Sequence, residues 1–151
     1  MDKLNKEKRS ENMAKIRARG NASTELKVLK LLRQHRITGW RRQFHIFGLP
    51  DFAFPKARVA LFIDGCFWHG CPRCYHAPRS SQVYWKAKIA RNRDRDQAVN
   101  RQLRARGWKV LRIWECELKN IRTFLRRVAK LTVCQSPEIS ITKLHNRRGP
   151  S

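Results

Sequence analysis

Three cysteines crowd into the segment DGCFWHGCPRCYH, at Cys66, Cys71 and Cys74, immediately after the apolar run VALFI. Nothing else in the chain limits its folding as strongly. Thiolates at C-x4-C-x2-C spacing can converge on one soft cation, and the residues among them, Gly65, Gly70 and Pro72, are those of a loop folded around a centre. A closed tetrahedral zinc site needs a fourth ligand. His69, His76, Cys116 and Cys134 are the candidates. Cys116 is preferred: it follows a second apolar run, WKVLRIW, whose place in a sheet would hold it, and its sulfur completes an all-thiolate set. Cys134, with no local partner, reads as a small buried side chain. Five cysteines are poor disulfide material for a chain expected in a reducing compartment.

Charge says what such a domain would meet. Thirty-five Lys and Arg against eleven Asp and Glu leave a formal net charge of +24, spread from Lys3 to Arg148 rather than confined to one tail. That excess costs self-repulsion and fits a polyanionic partner. Hydrophobic residues make up 41% of the chain and five of them are tryptophans, so it can pack a core and still offer aromatic faces for stacking on bases. Nucleic acid is the expected partner, although charge does not separate RNA from DNA. No apolar run reaches the roughly 18 residues of a membrane-spanning helix, and the opening MDKLNKEKRS lacks the apolar stretch of a signal peptide. The expectation is a cytoplasmic protein with no membrane partner. The 151 residues fit one domain, read as a basic arm over 1–20, a domain over 21–134 and a polar tail over 135–151.

Asn21 to Thr24 supplies capping residues for a helix reaching about His35, with Leu26, Leu29 and Leu32 as its apolar face and Gly39 closing the segment. RRQFHIFGLP, DFAFP and RVALFID, separated by Pro and Gly, predict two or three strands, and VALFI, apolar on both faces, is placed centrally. Ser80 or Ser81 caps a long helix to about Arg106, which Gly107 stops. WKVLRIW predicts another strand, and a helix is expected from about Glu117 to Leu131. This order predicts the α/β class: a mixed central sheet flanked by helices.

Two carboxylates stand where burial works against them. Asp51, between Pro50 and Phe52, lies at the edge of an apolar strand, where a carboxylate costs desolvation unless a cation meets it. Asp64 ends the VALFI strand. Acids at neighbouring strand ends can meet across a hairpin and hold a hard cation such as Mg²⁺; two solvated turn residues are the plainer alternative. On the long helix, positions 85, 89, 92, 96, 99 and 103 read Trp85, Ile89, Asn92, Asp96, Val99 and Leu103, an apolar stripe broken by two polar residues. An inward Asp96 needs a partner. His69 is proposed, since a carboxylate fixes an imidazole's tautomer and raises its basicity; Arg91, Arg93 or Arg95 would satisfy it instead as a surface ion pair. Metal, acid and imidazole in one basic chain point to phosphodiester hydrolysis. A zinc-stabilised DNA-binding module without catalysis and a basic RNA-binding protein are the rival classes.

The stretches RSENMAKIRARGNASTE, LPDFAF, DGCFWHGCPRCY, YWKAKIARNRDRD and GWKVLRIWECEL, in this order and spacing, resemble the very short patch repair (Vsr) DNA mismatch endonucleases over about residues 8 to 131. The resemblance implies a variant of the PD-(D/E)xK nuclease fold with catalytic Mg²⁺ and structural Zn²⁺. It implies a nick in one strand, 5′ to the thymine of a T:G mismatch left by 5-methylcytosine deamination. Carried over by position, it makes Asp51 a Mg²⁺ ligand, together with the main-chain carbonyl of Ile63, and His69 the acid/base residue. Asp96 supports His69, Glu25 is an accessory acid, and Cys66, Cys71, Cys74 and Cys116 match the zinc positions. Phe67, Trp68 and Trp85 match residues that insert beside the mismatch, with Met13 entering from the other groove. The implied partners are double-stranded DNA with a T:G mismatch and a mismatch-repair protein of the MutL type, and the implied state is a monomer. Some members have His where Cys71 stands, and the superfamily's lysine is absent from IDG, where His69 is expected to take its place.

Overall fold

A computed structural model describes residues 22–132. Four strands, β1 (Arg41–Arg42), β2 (Phe52–Phe54), β3 (Val59–Asp64) and β4 (Lys109–Trp114), form one sheet in that order, with helices α1 (Ala22–Gln34), α2 (Gln82–Ala105) and α3 (Ile121–Thr132) around it. β3, the run apolar on both faces, is central as expected: it pairs antiparallel with β2 and parallel with β4. A parallel pair cannot be joined by a hairpin, and α2 is the crossover that joins it.

Side-chain alternation along β3 divides the molecule into layers. Val59 and Leu61 face a core with Val28, Leu32 and Phe124 of α1 and α3, while Ala60 and Phe62 face Leu103 and Val99 of α2. Each fully buried Leu or Phe stabilises by about 1.5–3 kcal/mol. The ends of β3 and β4, from which the functional loops leave, are therefore firmly held.

Three local expectations change. α1 turns Leu26 outward, 55% exposed, and buries Thr24, Val28, Leu31 and Leu32. A stripe spaced by threes drifts off a helix of 3.6 residues per turn, whereas 24, 28, 31 and 32 stay on one face. Ser81 stands at the start of α2 but in a left-handed conformation (φ 57°) without a side-chain cap bond; a capping side chain needs an extended backbone. The last helix begins at Ile121 rather than Glu117, because Glu115–Lys119 forms a separate 3₁₀ turn. Asn120 Oδ1 then accepts the Thr123 N–H at 3.1 Å as the cap of α3. Gly107 (φ 76°) stops α2 as expected. Among the described residues no helix is long and apolar enough to cross a membrane. Met13, Cys134, the basic arm and the polar tail lie outside the described residues.

Candidate active site and metal centre

The parallel register sets Asp64 opposite Trp114. Two residues beyond them come Cys66 and Cys116, so the sheet delivers both thiols to one place, and the Cys116 N–H donates to Cys66 Sγ at 3.3 Å. The loop then turns on itself, with Cys71 N–H donating to the Cys66 carbonyl at 2.8 Å and Tyr75 N–H to the Cys71 carbonyl at 3.0 Å. The sulfurs of Cys66, Cys71, Cys74 and Cys116 all lie within 4.8 Å of one another, those of Cys71 and Cys116 3.7 Å apart. Thiolates about 2.3 Å from a tetrahedral zinc ion stand about 3.8 Å apart, so this donor set fits zinc.

Burial pushes the Cys66 and Cys116 thiols up. Burial acts the same way on Cys71, but hydrogen bonds from Arg73 and Cys74 outweigh it and bring that thiol to about 7. Four thiolates this close repel one another unless a cation sits among them. Glu117 braces the loop from outside: Oε1 accepts Arg73 Nη2 at 2.5 Å, and Oε2 accepts Arg127 Nη1 at 2.7 Å and the Trp114 N–H at 3.0 Å. Helix α3 and the cysteine loop are thereby joined through one carboxylate.

On the α2 side of the same strand ends lies a cleft of about 400 Å³ whose lining includes Asp51, Ile63, Asp64, His69, Asp96 and Arg112. Asp51 Oδ2 accepts the Ile63 N–H at 2.7 Å, and no Lys or Arg among the described residues forms an ion pair with it. Burial raises its carboxyl to about 6 against the pull of that hydrogen bond, with the charges of Glu25 and Asp64 adding to the rise. A half-buried carboxylate on an open cleft, engaged in no ion pair among the described residues although the charge of Arg112 reaches it, suits a hard divalent cation.

His69 Nδ1 bonds Asp96 Oδ2. An ionised carboxylate only accepts, so Nδ1 carries the hydrogen and Nε2 is the ring nitrogen left for chemistry. Burial opposes ionisation of Asp96, but the hydrogen bond and charge of His69 and the charge of Arg112 outweigh it and hold that carboxyl below its usual range. Asp64 lines the same cleft, yet it is engaged elsewhere: Arg112 Nη1 donates to its Oδ1 at 2.6 Å. Asp64 is thus paired with Arg112, and one of its oxygens lies within 4.8 Å of a His69 ring nitrogen and an Asp96 oxygen, a group that could itself hold a metal ion. Glu25, near Asp51, accepts Arg42 Nη2 at 2.7 Å and Nε at 3.1 Å.

Helix α2 holds the loop by its main chain. Asn92 Nδ2 donates to the Trp68 carbonyl at 2.7 Å, Arg93 Nε to the His69 carbonyl at 3.1 Å and Arg93 Nη2 to the Gly70 carbonyl at 2.5 Å. Gly70 (φ 64°) allows the close approach, since a Cβ there would stand 2.7 Å from Ile89 Cγ2. Beside this clamp the rings of Phe67, Trp68 and Trp85 form one half-buried cluster, with centroids 5.2 Å apart for Phe67 and Trp68, 4.9 Å for Phe67 and Trp85, and 6.1 Å for Trp68 and Trp85. Tyr84, 51% exposed, extends the cluster from Trp85.

The family described as DNA mismatch endonuclease Vsr matches residues 1–76. The type II nicking enzyme V.XorIIP of Xanthomonas oryzae pv. oryzae is 39% identical over 135 residues, 86% of this chain and 96% of that protein. The type II nicking enzyme V.HpaIIP of Haemophilus parainfluenzae is 35% identical over 134 residues, 86% of this chain and 94% of that protein. The DNA mismatch endonuclease Vsr of Escherichia coli is 34% identical over 120 residues, 78% of this chain and 76% of that protein.

The chain belongs to the Vsr family. It is therefore an endodeoxyribonuclease with DNA as its partner, and the readings as a non-catalytic binding module or an RNA-binding protein fall away. In this Vsr chain Asp51, Ile63, His69 and Asp96 come to one cleft, the four cysteines to one centre, and Phe67, Trp68 and Trp85 to one cluster. Arg112, not among the sequence candidates, satisfies Asp96 alongside His69, and Arg93, one of the alternative partners for Asp96, grips loop carbonyls instead. A lone arginine within VLRIW was the available signal: period-two alternation places it on the face of Val110 and Phe62.

Proposed function

We propose that the protein is a Mg²⁺-dependent, zinc-stabilised endonuclease that nicks one strand 5′ to the thymine of a T:G mismatch, the product of 5-methylcytosine deamination, and so starts very short patch repair. The observation that carries this reading is the convergence on one cleft of Asp51, which forms no ion pair among the described residues, and a His69–Asp96 pair, with an aromatic cluster adjoining. Its mixed sheet, with Pro50-Asp51 leading into β2, supports a variant of the PD-(D/E)xK fold in which His69 replaces the superfamily lysine.

Asp51 and the main-chain carbonyl of Ile63 are the groups to hold Mg²⁺, which when bound supplies Lewis-acid stabilisation to the scissile phosphate. Asp96 keeps His69 in the Nδ1–H tautomer, and Nε2 takes the proton of the attacking water. Glu25, paired with Arg42, adds negative charge near Asp51 and tunes it. The four cysteines hold zinc as a clamp for the loop that carries both His69 and the Phe67-Trp68 wedge. Phe67, Trp68 and Trp85, with Met13 from the arm at 1–20, insert beside the mismatch. Unstacking costs a few kcal/mol per step and is least at a weakened pair, so insertion itself favours T:G.

The domain proper is 21–134, the tail 135–151 lies outside it, and the working form is a cytoplasmic monomer with a mismatch-repair protein of the MutL type as a further partner. Incubating the full chain with a T:G duplex, its matched counterpart and a structured RNA, with and without Mg²⁺, tests this. A single Mg²⁺-dependent nick on the T:G strand, 5′ to the thymine, is expected. Equal nicking of the matched duplex, or undiminished nicking in magnesium-free buffer, contradicts it.

A further inference from the structure

Arg112 is a charge inside an apolar strand, and the register explains where it goes. Phe62 and Arg112 are partners across β3 and β4, and the guanidinium lies 4.5 Å from the Phe62 ring centroid on the α2 face. With its side chain only 19% exposed, the guanidinium needs acceptors. It has three: Nη1 donates to Asp64 Oδ1 at 2.6 Å, Nη2 to Asp96 Oδ1 at 3.2 Å, and Nε to Asn100 Oδ1 at 3.0 Å. Arg127 Nη2 also donates to the Arg112 carbonyl at 2.8 Å, fixing the backbone beneath.

The consequence falls on His69. A carboxylate held by one oxygen swings about a soft terminal torsion. Asp96 is held by both, Oδ2 on His69 Nδ1 and Oδ1 on Arg112. Asp64 and Asp96 would otherwise face each other as two crowded negative groups, since their oxygens and the His69 ring nitrogen lie within 4.8 Å of one another.

We propose that Arg112 is a positioning residue: standing as a built-in cation between Asp64 and Asp96, it locks the Asp96 carboxylate and through it holds His69 with Nε2 turned to the cleft. Asp64 is then the counter-charge of Arg112. A lysine would substitute only in part, because its single ammonium lacks the planar fork that reaches Asp64, Asp96 and Asn100 together. This inference rests on the proposed proton-transfer role of His69.

The test uses the full, zinc-loaded chain and compares wild type, Arg112→Leu, Arg112→Lys and His69→Gln on a T:G duplex in Mg²⁺. ¹⁵N NMR of histidine-labelled protein reads the His69 tautomer, assigned by its absence in His69→Gln. Arg112→Leu is expected to lower kcat about 10- to 100-fold, the range for outer partners that orient a metal-bound imidazole. KM should stay within about twofold, and the His69 signal should lose its single Nδ1–H form. Arg112→Lys should fall between Arg112→Leu and wild type. Wild-type kcat in Arg112→Leu, or a lowered kcat with the His69 signal unchanged, overturns the proposal. Should Arg112→Leu fail to fold, Arg112→Lys decides by the same two readouts. Wild-type nicking by His69→Gln sinks the proton-transfer reading itself, whereas an inactive His69→Gln beside a fully active Arg112→Leu sinks only the role of Arg112.

Discussion

Asp51 is the residue whose proposed function works against stability. Burial lifts its carboxyl from an ordinary 3.8 to about 6. A carboxyl raised in the folded state favours folding while protonated, so its contribution is full below about pH 4 and is lost as pH rises through about 6. At neutral pH without a bound cation the ionised form then costs up to about 3 kcal/mol. In magnesium-free buffer, urea unfolding of Asp51→Asn at pH 7.5 should therefore show a variant more stable than wild type by up to that amount. The difference should vanish near pH 4. Equal stabilities at pH 7.5 would mean that Asp51 is not strained by burial.

Residues of this kind were legible in the sequence because each breaks a local pattern: Asp51 in an apolar run, Asp96 in an apolar stripe. Arg112 breaks one too. Its partners lie 48 and 16 positions away, however, and only the sheet register and the helix crossover bring them to it.

At the scale of elements, one loop serves two purposes. Residues 66–71 carry the proposed wedge, Phe67-Trp68, and His69 between cysteines, and the loop is flanked by the gathered sulfurs on one side and held by Asn92 and Arg93 on the other. Zinc removal should release the sulfur side. The aromatic signal of Phe67, Trp68 and Trp85 in near-ultraviolet circular dichroism should collapse while the far-ultraviolet signal of α2 and the sheet largely persists. Nicking should be lost even in saturating Mg²⁺, and normal nicking by zinc-free protein would show the clamp to be dispensable.

The cysteine centre was readable from spacing, and its fourth member from position after a strand. What spacing could not show is that β3 and β4 are parallel and in register, which puts Cys66 and Cys116 at equal distances past paired residues. Helix phase was the weaker inference. α1 offered two overlapping apolar stripes, and packing against the sheet chose the one without Leu26. Likewise the 3₁₀ turn at Glu115–Lys119 looked like the start of a helix, because Glu117 is a good first-turn residue; its carboxylate is used by Arg73, Arg127 and Trp114 instead.

For the molecule as a whole, grip and cut separate. The net charge of +24 is spread along the chain, so hold on the phosphates is a sum of many contacts that no single carboxylate controls. The α/β order of elements was visible from strand and helix periodicity, and the centrality of β3 from its two apolar faces. The proposed division of labour between a zinc clamp and a separate acid/imidazole cleft depends on three-dimensional placement, with thiols and cleft reached from the same two strand ends.

That division is the central claim, and Asp51→Ala tests it most directly. The measurement is single-turnover nicking of a T:G duplex in Mg²⁺ by zinc-loaded Asp51→Ala, with duplex affinity determined on the same sample. Full zinc content, affinity equal to or tighter than wild type because one negative charge is gone, and no detectable nick are expected. Nicking by Asp51→Ala at the wild-type rate would contradict that division and place the chemistry elsewhere.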